Sequence, residues 1–120
     1  MASILVIDDD EGVRRLLRQV LESEGHEVHV AGDGARGVAR YRDVVPDLTI
    51  VDLLMPEKDG LETIGEIREL APEARIIAMT GALPLHEPSL KVAERLGAAH
   101  TLRKPMSVDE ILLVVEEALR

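Results

Sequence analysis

The chain has 120 residues, the length of one domain, and it contains no cysteine, which excludes disulfides, thiolate metal sites and a cysteine nucleophile. Its 14 basic and 23 acidic residues give a formal charge of −9, which disfavours direct binding to nucleic acid and favours metal cations and basic partners. It has one tyrosine and no Phe or Trp, so it lacks aromatic platforms for base stacking. No signal peptide is evident and the apolar runs are too short to cross a bilayer, so we expect a cytoplasmic protein without a membrane partner.

Short strands alternate with amphipathic helices along the whole chain. Residues 4–7 are an unbroken apolar run, typical of a strand buried on both faces. Apolar residues at helical spacing follow, and this helix ends at Gly25. The same alternation recurs four more times, with strands predicted at 4–7, 27–31, 48–51, 76–79 and 98–102, and helices at 13–25, 33–43, 61–71, 88–96 and 108–119.

Five strands alternating with five helices predict an α/β fold, a doubly wound parallel sheet with right-handed crossovers and helices on both faces. Neither a linker nor a low-complexity tract divides the sequence, so we expect a single domain over residues 1–120. The segment 32–37 has the pattern G-x-G-x-x-G, which could bind a dinucleotide. It follows the second strand rather than the first, so we favour a glycine-eased turn into a surface helix.

Charged and hydroxyl side chains follow the carboxyl ends of four predicted strands. They are Asp8 and Asp9 after the first strand, Asp52 after the third, Thr80 after the fourth and Lys104 after the fifth. Ligands bind beyond this edge of an open parallel sheet. If the first and third strands are neighbours, three carboxylates converge, and their oxygen ligands favour a hard cation such as Mg²⁺. The lysine and hydroxyl suit a phosphoryl group, so the pattern indicates phosphoryl transfer to, or hydrolysis from, an aspartate.

Four segments resemble the receiver domain of bacterial two-component response regulators: 4–11, 52–56 together with 59–60, 79–81, and 104–105. The resemblance implies a flavodoxin-like sheet of strand order 2-1-3-4-5. It implies that Asp52 accepts a phosphoryl group from a phosphohistidine on a sensor histidine kinase or phosphotransfer protein. It also implies a regulatory domain that catalyses only its own phosphorylation and dephosphorylation, and a Lys104-Pro105 peptide bond that is often cis.

The resemblance assigns roles to individual residues of the site. The acidic pair Asp8 and Asp9 would form the Mg²⁺ site together with Asp52 and the backbone carbonyl of Leu54, with Asp9 and Asp52 binding the ion directly. The other two side chains would contact phosphoryl oxygens, Thr80 through a hydrogen bond and Lys104 through an ion pair. The first helix carries Arg14, Arg15 and Arg18, which are either its solvated side or a contact face for the kinase.

The signal would leave through the fourth helix, the fifth strand and the fifth helix, a face that could also form a homodimer through Leu113. The sequence departs from the family at two points. Thr101 replaces the aromatic residue that often acts as a rotamer switch. Leu54 and Ala82 stand where side chains influence attack by water, so we expect slow self-dephosphorylation.

Two other functions fit parts of the pattern. A Mg²⁺-dependent phosphatase of the aspartyl-phosphate type also uses an aspartate nucleophile, but it usually has a second aspartate where this chain has Leu54. A phosphorylation-independent interaction module would not need the complete set of three aspartates, a threonine and a lysine.

Overall fold

The computed structural model describes residues 1–81 and 87–120, and for residues 87–90 it describes the backbone alone. Within these ranges strands and helices alternate as the hydrophobic pattern predicts, and the boundaries differ from the predicted ones by a few residues at most. The strands are β1 Ser3–Ile7, β2 Glu27–Ala31, β3 Leu48–Asp52, β4 Ile76–Thr80 and β5 Ala98–Arg103. The helices are α1 Glu11–Ser23, α2 Gly34–Val44, α3 Gly60–Leu70, α4 Glu87–Arg95 and α5 Val108–Leu119.

The five strands form one parallel sheet in the order β2-β1-β3-β4-β5, which confirms the flavodoxin-like fold. One face packs against α1 and α5, whose buried side chains include Leu17 and Ile111. The other face packs against α2, α3 and α4, with Val38, Ile64 and Ala93 in the core. The chain runs from β1 to β2 on one side and from β3 to β4 on the other, so the connections after these two strands diverge. The carboxyl ends of β1 and β3 border the resulting crevice.

Short polar side chains begin the helices that border the site. Asp10 caps α1, because its Oδ1 accepts the backbone N–H groups of Gly12 at 2.8 Å and Val13 at 3.3 Å. Asp59 caps α3 in the same way, through the N–H of Glu62 at 2.9 Å. These caps fix where the chain turns from each strand end into the next helix.

The G-x-G-x-x-G segment is explained by close packing of α2. A Cβ on Gly37 would lie 2.5 Å from Cδ1 of Ile7, and a Cβ on Gly34 would meet Thr63 Oγ1 and lie 3.0 Å from the carbonyl of Lys58. Asp33 occupies the cap of this helix and accepts the N–H of Arg36 at 2.7 Å. The glycines therefore let α2 approach β1 and α3. None of the glycines in this segment has a positive φ, so the glycine-eased turn stays a prediction.

At the amino edge of the sheet, Arg68 joins α3 to the turn between α4 and β5. Its guanidinium donates to the carbonyls of Leu96 at 2.9 Å, Gly97 at 3.0 Å and Pro72 at 2.6 Å. Gly97 has φ +102°, and a Cβ there would meet the guanidinium. Arg68 thus ties α3 to the start of β5 on the side opposite the carboxylates. None of the described helices is both long and apolar enough to cross a membrane.

Candidate functional site

Three carboxylates meet at the carboxyl edge of the sheet, where the strand ends of β1 and β3 are neighbours. Asp8, Asp9 and Asp52 each offer an oxygen, and these oxygens lie within 4.8 Å of one another. The pairing of Ile7 with Val51 sets this arrangement, because Asp8 and Asp52 are the next residues along the two strands. Asp8 and Asp52 are buried, at 0% and 4% exposure, and Asp9 is exposed.

The ammonium group of Lys104 lies against the two buried carboxylates. Its Nζ is 2.8 Å from Asp8 Oδ2 and 3.3 Å from Asp52 Oδ2. Its backbone N–H donates to the carbonyl of Thr80 at 2.7 Å, and the Lys104-Pro105 bond is cis, as the resemblance implies. Burial disfavours the charge on Lys104, but the contact with Asp8 and the charges of Asp52 and Asp8 outweigh it and raise the pKa of the ammonium group.

Asp52 has an electrostatically unfavourable position for a charged group. Burial, followed by the negative charge of Asp8, raises its pKa to about 6, although Lys104 and the N–H of Leu54 act in the opposite direction. That N–H donates to Asp52 Oδ1 at 3.3 Å. A cation bound beside the carboxylate would favour its ionised form.

The residues of this cluster fit a hard divalent cation. The donor set contains carboxylate oxygens only, which suit Mg²⁺ rather than a softer metal. Asp8 Oδ2 is buried, and its contact is the ion pair with Lys104 at 2.8 Å. Because the three carboxylates face a single ammonium, a cation at this point would reduce their mutual repulsion and stabilise the cluster.

Comparison with known proteins identifies the family. The response regulator receiver domain matches residues 4–116. The transcriptional regulator NtrC of Azospirillum brasilense is 41% identical over 98% of this chain and 24% of its own length. The chemotaxis protein CheY of Halobacterium salinarum is 34% identical over 97% of this chain and 95% of its own length. The crystal structure of NtrX from Brucella abortus in complex with ADP superposes with TM-score 0.92 and 33% identity over 98% of this chain and 27% of that chain.

The chain belongs to the response regulator receiver domain family. This membership assigns it to two-component signal transduction, with a regulatory role. Receiver domains bind Mg²⁺ through acidic residues and interact with histidine kinases or phosphotransfer proteins. The chain spans about a quarter of the length of NtrC and NtrX, and nearly all of CheY.

Two further positions of the receiver domain border the acidic cluster. Thr80, at the end of β4, is 3% exposed, and its hydroxyl donates to the carbonyl of Gly81 at 3.0 Å. The side chain of Leu54 is 63% exposed, next to Asp52. Ala82, the other residue that we expect to influence attack by water, lies outside the described residues.

Sequence reasoning missed the position of Arg14 in the receiver domain. The amphipathic pattern predicts a solvated or kinase-facing residue, as for Arg15 and Arg18, but Arg14 is half-buried and donates through Nη1 to the carbonyl of Asp8 at 2.7 Å. Arg15 is solvated as expected and pairs with Glu11 at 3.0 Å. The amphipathic pattern carries no signal for Arg14, because a backbone carbonyl as partner leaves no mark in the sequence.

Gly60 is a second residue whose part in the site the sequence did not reveal. A Cβ at this position would meet the carbonyl oxygen of Asp52 and lie 2.5 Å from the Cα of Leu53. The glycine therefore lets the first turn of α3 contact the backbone that carries Asp52. In the sequence, the dipeptide Asp59-Gly60 could be recognised as part of the resemblance, but its contact could not.

Proposed function

We propose that this receiver domain is a phosphorylation-dependent switch that accepts a phosphoryl group on Asp52, with Mg²⁺, from the phosphohistidine of a sensor histidine kinase or phosphotransfer protein. One observation carries the proposal. Asp52 is a buried carboxylate, and one of its oxygens lies within 4.8 Å of an oxygen of Asp8 and of Asp9. Its Oδ2 also lies 3.3 Å from the ammonium nitrogen of Lys104. An acceptor oxygen, an acidic cation site and a counter-charge thus occupy one small volume.

In the transfer, an oxygen of ionised Asp52 forms a bond to phosphorus while the bond from phosphorus to the histidine nitrogen breaks. The electron pair of that bond stays on the imidazole, and an acyl phosphate remains on Asp52. Lys104 Nζ, which already contacts both buried carboxylates, is in reach of the new charge and can pair with a phosphoryl oxygen. Mg²⁺, held by Asp8, Asp9, Asp52 and the carbonyl of Leu54, would supply charge neutralisation for the phosphoryl oxygens.

We assign the conformational switch to the hydroxyl of Thr80, which would reorient on phosphorylation. It now donates to the neutral carbonyl of Gly81 at 3.0 Å, whereas a phosphoryl oxygen is a charged and stronger acceptor. Turning the hydroxyl to that oxygen releases the carbonyl of Gly81, so that the backbone directly after β4 can shift. Thr101 is exposed on β5 and is not aromatic, so in this chain Thr80 would carry the switch.

Thr80→Val and Thr80→Ser separate the hydroxyl from the packing. We expect the valine variant to be phosphorylated on Asp52 without the spectral changes that accompany phosphorylation of the wild type, and the serine variant to keep them. Two-dimensional amide NMR spectra with and without phosphodonor measure this. Wild-type changes in the valine variant would contradict the role of the hydroxyl.

The proposed output face consists of α4, β5 and α5. Exposed apolar side chains lie on it, with Val92 40% and Leu113 56% exposed. We expect Leu113→Glu to weaken phosphorylation-dependent self-association measured by light scattering. Val45→Glu is the matched control, because Val45 is 67% exposed at the end of α2. Equal association of wild type and Leu113→Glu would contradict a homodimer through this face.

Phosphorylated Asp52 should lose its phosphoryl group slowly. The side chain of Leu54 is exposed beside the acceptor and has no polar group to orient an attacking water. We expect Leu54→Asn to shorten the lifetime of the phosphoryl group. A wild-type lifetime of only seconds, measured by loss of the added mass after removal of the phosphodonor, would contradict this reasoning.

The acceptor is tested by incubation with acetyl phosphate and Mg²⁺, followed by intact mass. We expect the wild type to gain one phosphoryl group and Asp52→Ala to gain none. Asp43→Asn is the matched control, since Asp43 is an exposed aspartate on α2. No gain on the wild type contradicts the proposed function, and an equal gain on Asp52→Ala excludes Asp52 as acceptor.

A further inference from the structure

Arg14 reaches back from the first turn of α1 to the backbone of the acidic pair. Its Nη1 donates to the carbonyl oxygen of Asp8 at 2.7 Å, and this is the shortest polar contact of Asp8 among the described residues. The N–H of Asp8 donates to Ala31 at 3.1 Å, and Asp8 Oδ1 accepts the N–H of Asp10 at 2.9 Å. The carbonyl is the one backbone group of Asp8 that a side chain holds.

That carbonyl belongs to the peptide unit that joins Asp8 to Asp9. Because a peptide unit is planar, holding its oxygen restricts rotation of the whole unit, and with it the ψ angle of Asp8 and the position of the Asp9 Cα. The side chains of the acidic pair leave the chain at the two Cα atoms that this unit joins. A group that holds this plane therefore restricts the positions from which both side chains extend to the site.

The guanidinium itself is held in place. It lies against Gly32 of the β2–α2 turn, where a Cβ would be 3.4 Å from Nη1 and 3.7 Å from Cζ. Gly32 follows directly after Ala31, the partner of the Asp8 N–H. The side chain of Arg14 thus packs against the turn after β2. The exposed side chain of Arg15 instead pairs with Glu11 on its own helix.

We propose that Arg14 is a positioning residue for the Mg²⁺ site, which orients the peptide unit between Asp8 and Asp9. This inference rests on the proposed function, because it assumes that these carboxylates bind the cation. Outer contacts that orient metal ligands typically affect affinity by tenfold or more.

Charge and position have opposite effects here, which makes the inference testable. A positive charge near the site repels Mg²⁺, so loss of the charge alone would tighten binding. Loss of the orienting hydrogen bond would weaken it. A residue with a purely structural role would lower the stability of the fold but leave the affinity of the folded protein unchanged.

The experiment is calorimetric titration of the metal-free protein with Mg²⁺, comparing wild type, Arg14→Met, Arg14→Lys and the matched control Arg15→Met. We expect Arg14→Met to raise the Kd about tenfold above Arg15→Met, although both lose one positive charge. We expect Arg14→Lys, which keeps a hydrogen-bond donor, to have a Kd between those of the wild type and Arg14→Met. Hydrogen exchange at the amides of residues 9–12 should accelerate in Arg14→Met and not in Arg15→Met.

A Kd of Arg14→Met equal to or below that of Arg15→Met would overturn the inference. If Arg14→Met does not fold, Arg14→Lys and Arg15→Lys are compared at equal charge, and equal affinities would overturn it. Failure of the wild type to bind Mg²⁺ would contradict the proposed function. Binding by the wild type with no specific effect at Arg14 would contradict the positioning role alone.

Discussion

Replacement of Asp52 by asparagine should stabilise the metal-free domain at neutral pH. The wild-type carboxyl is 4% exposed, and burial and the charge of Asp8 raise its pKa to about 6 from the 3.8 of an unperturbed group. Ionisation of this group in the folded state is therefore unfavourable. Asparagine has nearly the same shape and cannot ionise, so it removes that cost.

The sign and size follow from proton linkage. Between pH 3.8 and about 6 the folded state holds a proton on Asp52 that the unfolded state has lost. The free energy of unfolding therefore falls as pH rises through this window and stays lower above it. A shift of about two pKa units corresponds to roughly 3 kcal/mol, and roughly 2–3 kcal/mol of it lies between pH 4 and 8.

The assay is urea unfolding of wild type and Asp52→Asn at pH 4 to 8, with EDTA present to remove divalent cations. Tyr41, the one aromatic residue, is 5% exposed, so its fluorescence reports unfolding together with far-UV circular dichroism. We expect the free energy of unfolding of Asp52→Asn, relative to that of the wild type, to increase by roughly 2–3 kcal/mol from pH 4 to pH 8. Added Mg²⁺ should remove most of that gain. Parallel pH profiles for the two proteins would refute the electrostatic reasoning.

Three further substitutions test the packing around the site and the sheet. Gly60→Ala should slow phosphorylation by acetyl phosphate because its Cβ meets the acceptor backbone, whereas Gly65→Ala, with nothing within 4 Å, should not; equal rates would contradict this. Gly97→Ala should lower the thermal stability more than Gly25→Ala. Both glycines have a positive φ, which costs an alanine about 1–2 kcal/mol, but only the Cβ at position 97 would also meet a guanidinium. Val45→Asn should stabilise by about 1 kcal/mol in urea unfolding, because the valine has φ +46°; an unchanged midpoint would show that this backbone is not strained.

Most of the fold follows from periodicity. The apolar run 4–7 stops at Asp8 because the strand reaches the carboxyl edge of the sheet there, and the same change from apolar to acidic marks Asp52 at the end of β3. Parallel strands bring such ends to one edge, so the cluster was foreseeable once the strand order was assumed. That order came from the resemblance, since periodicity does not say which strands are neighbours.

The contacts that sequence could not supply are those with the backbone. Arg14 looks like any solvated arginine of an amphipathic helix, yet long side chains can run back along the surface to a carbonyl. Arg68 is a similar case, because its three acceptors are all carbonyls. Gly60 and Gly34 have no room for a side chain because other segments of the same chain pack against them, and this packing is visible only in three dimensions.

The most direct test of the central claim is to locate the phosphoryl group itself. The domain is incubated with acetyl phosphate, with and without Mg²⁺, and then treated with borohydride, which reduces an aspartyl phosphate to homoserine. Peptide mass spectrometry should find homoserine at position 52, and only when Mg²⁺ was present. Homoserine at another aspartate, or modification at position 52 that does not depend on Mg²⁺, would contradict the account.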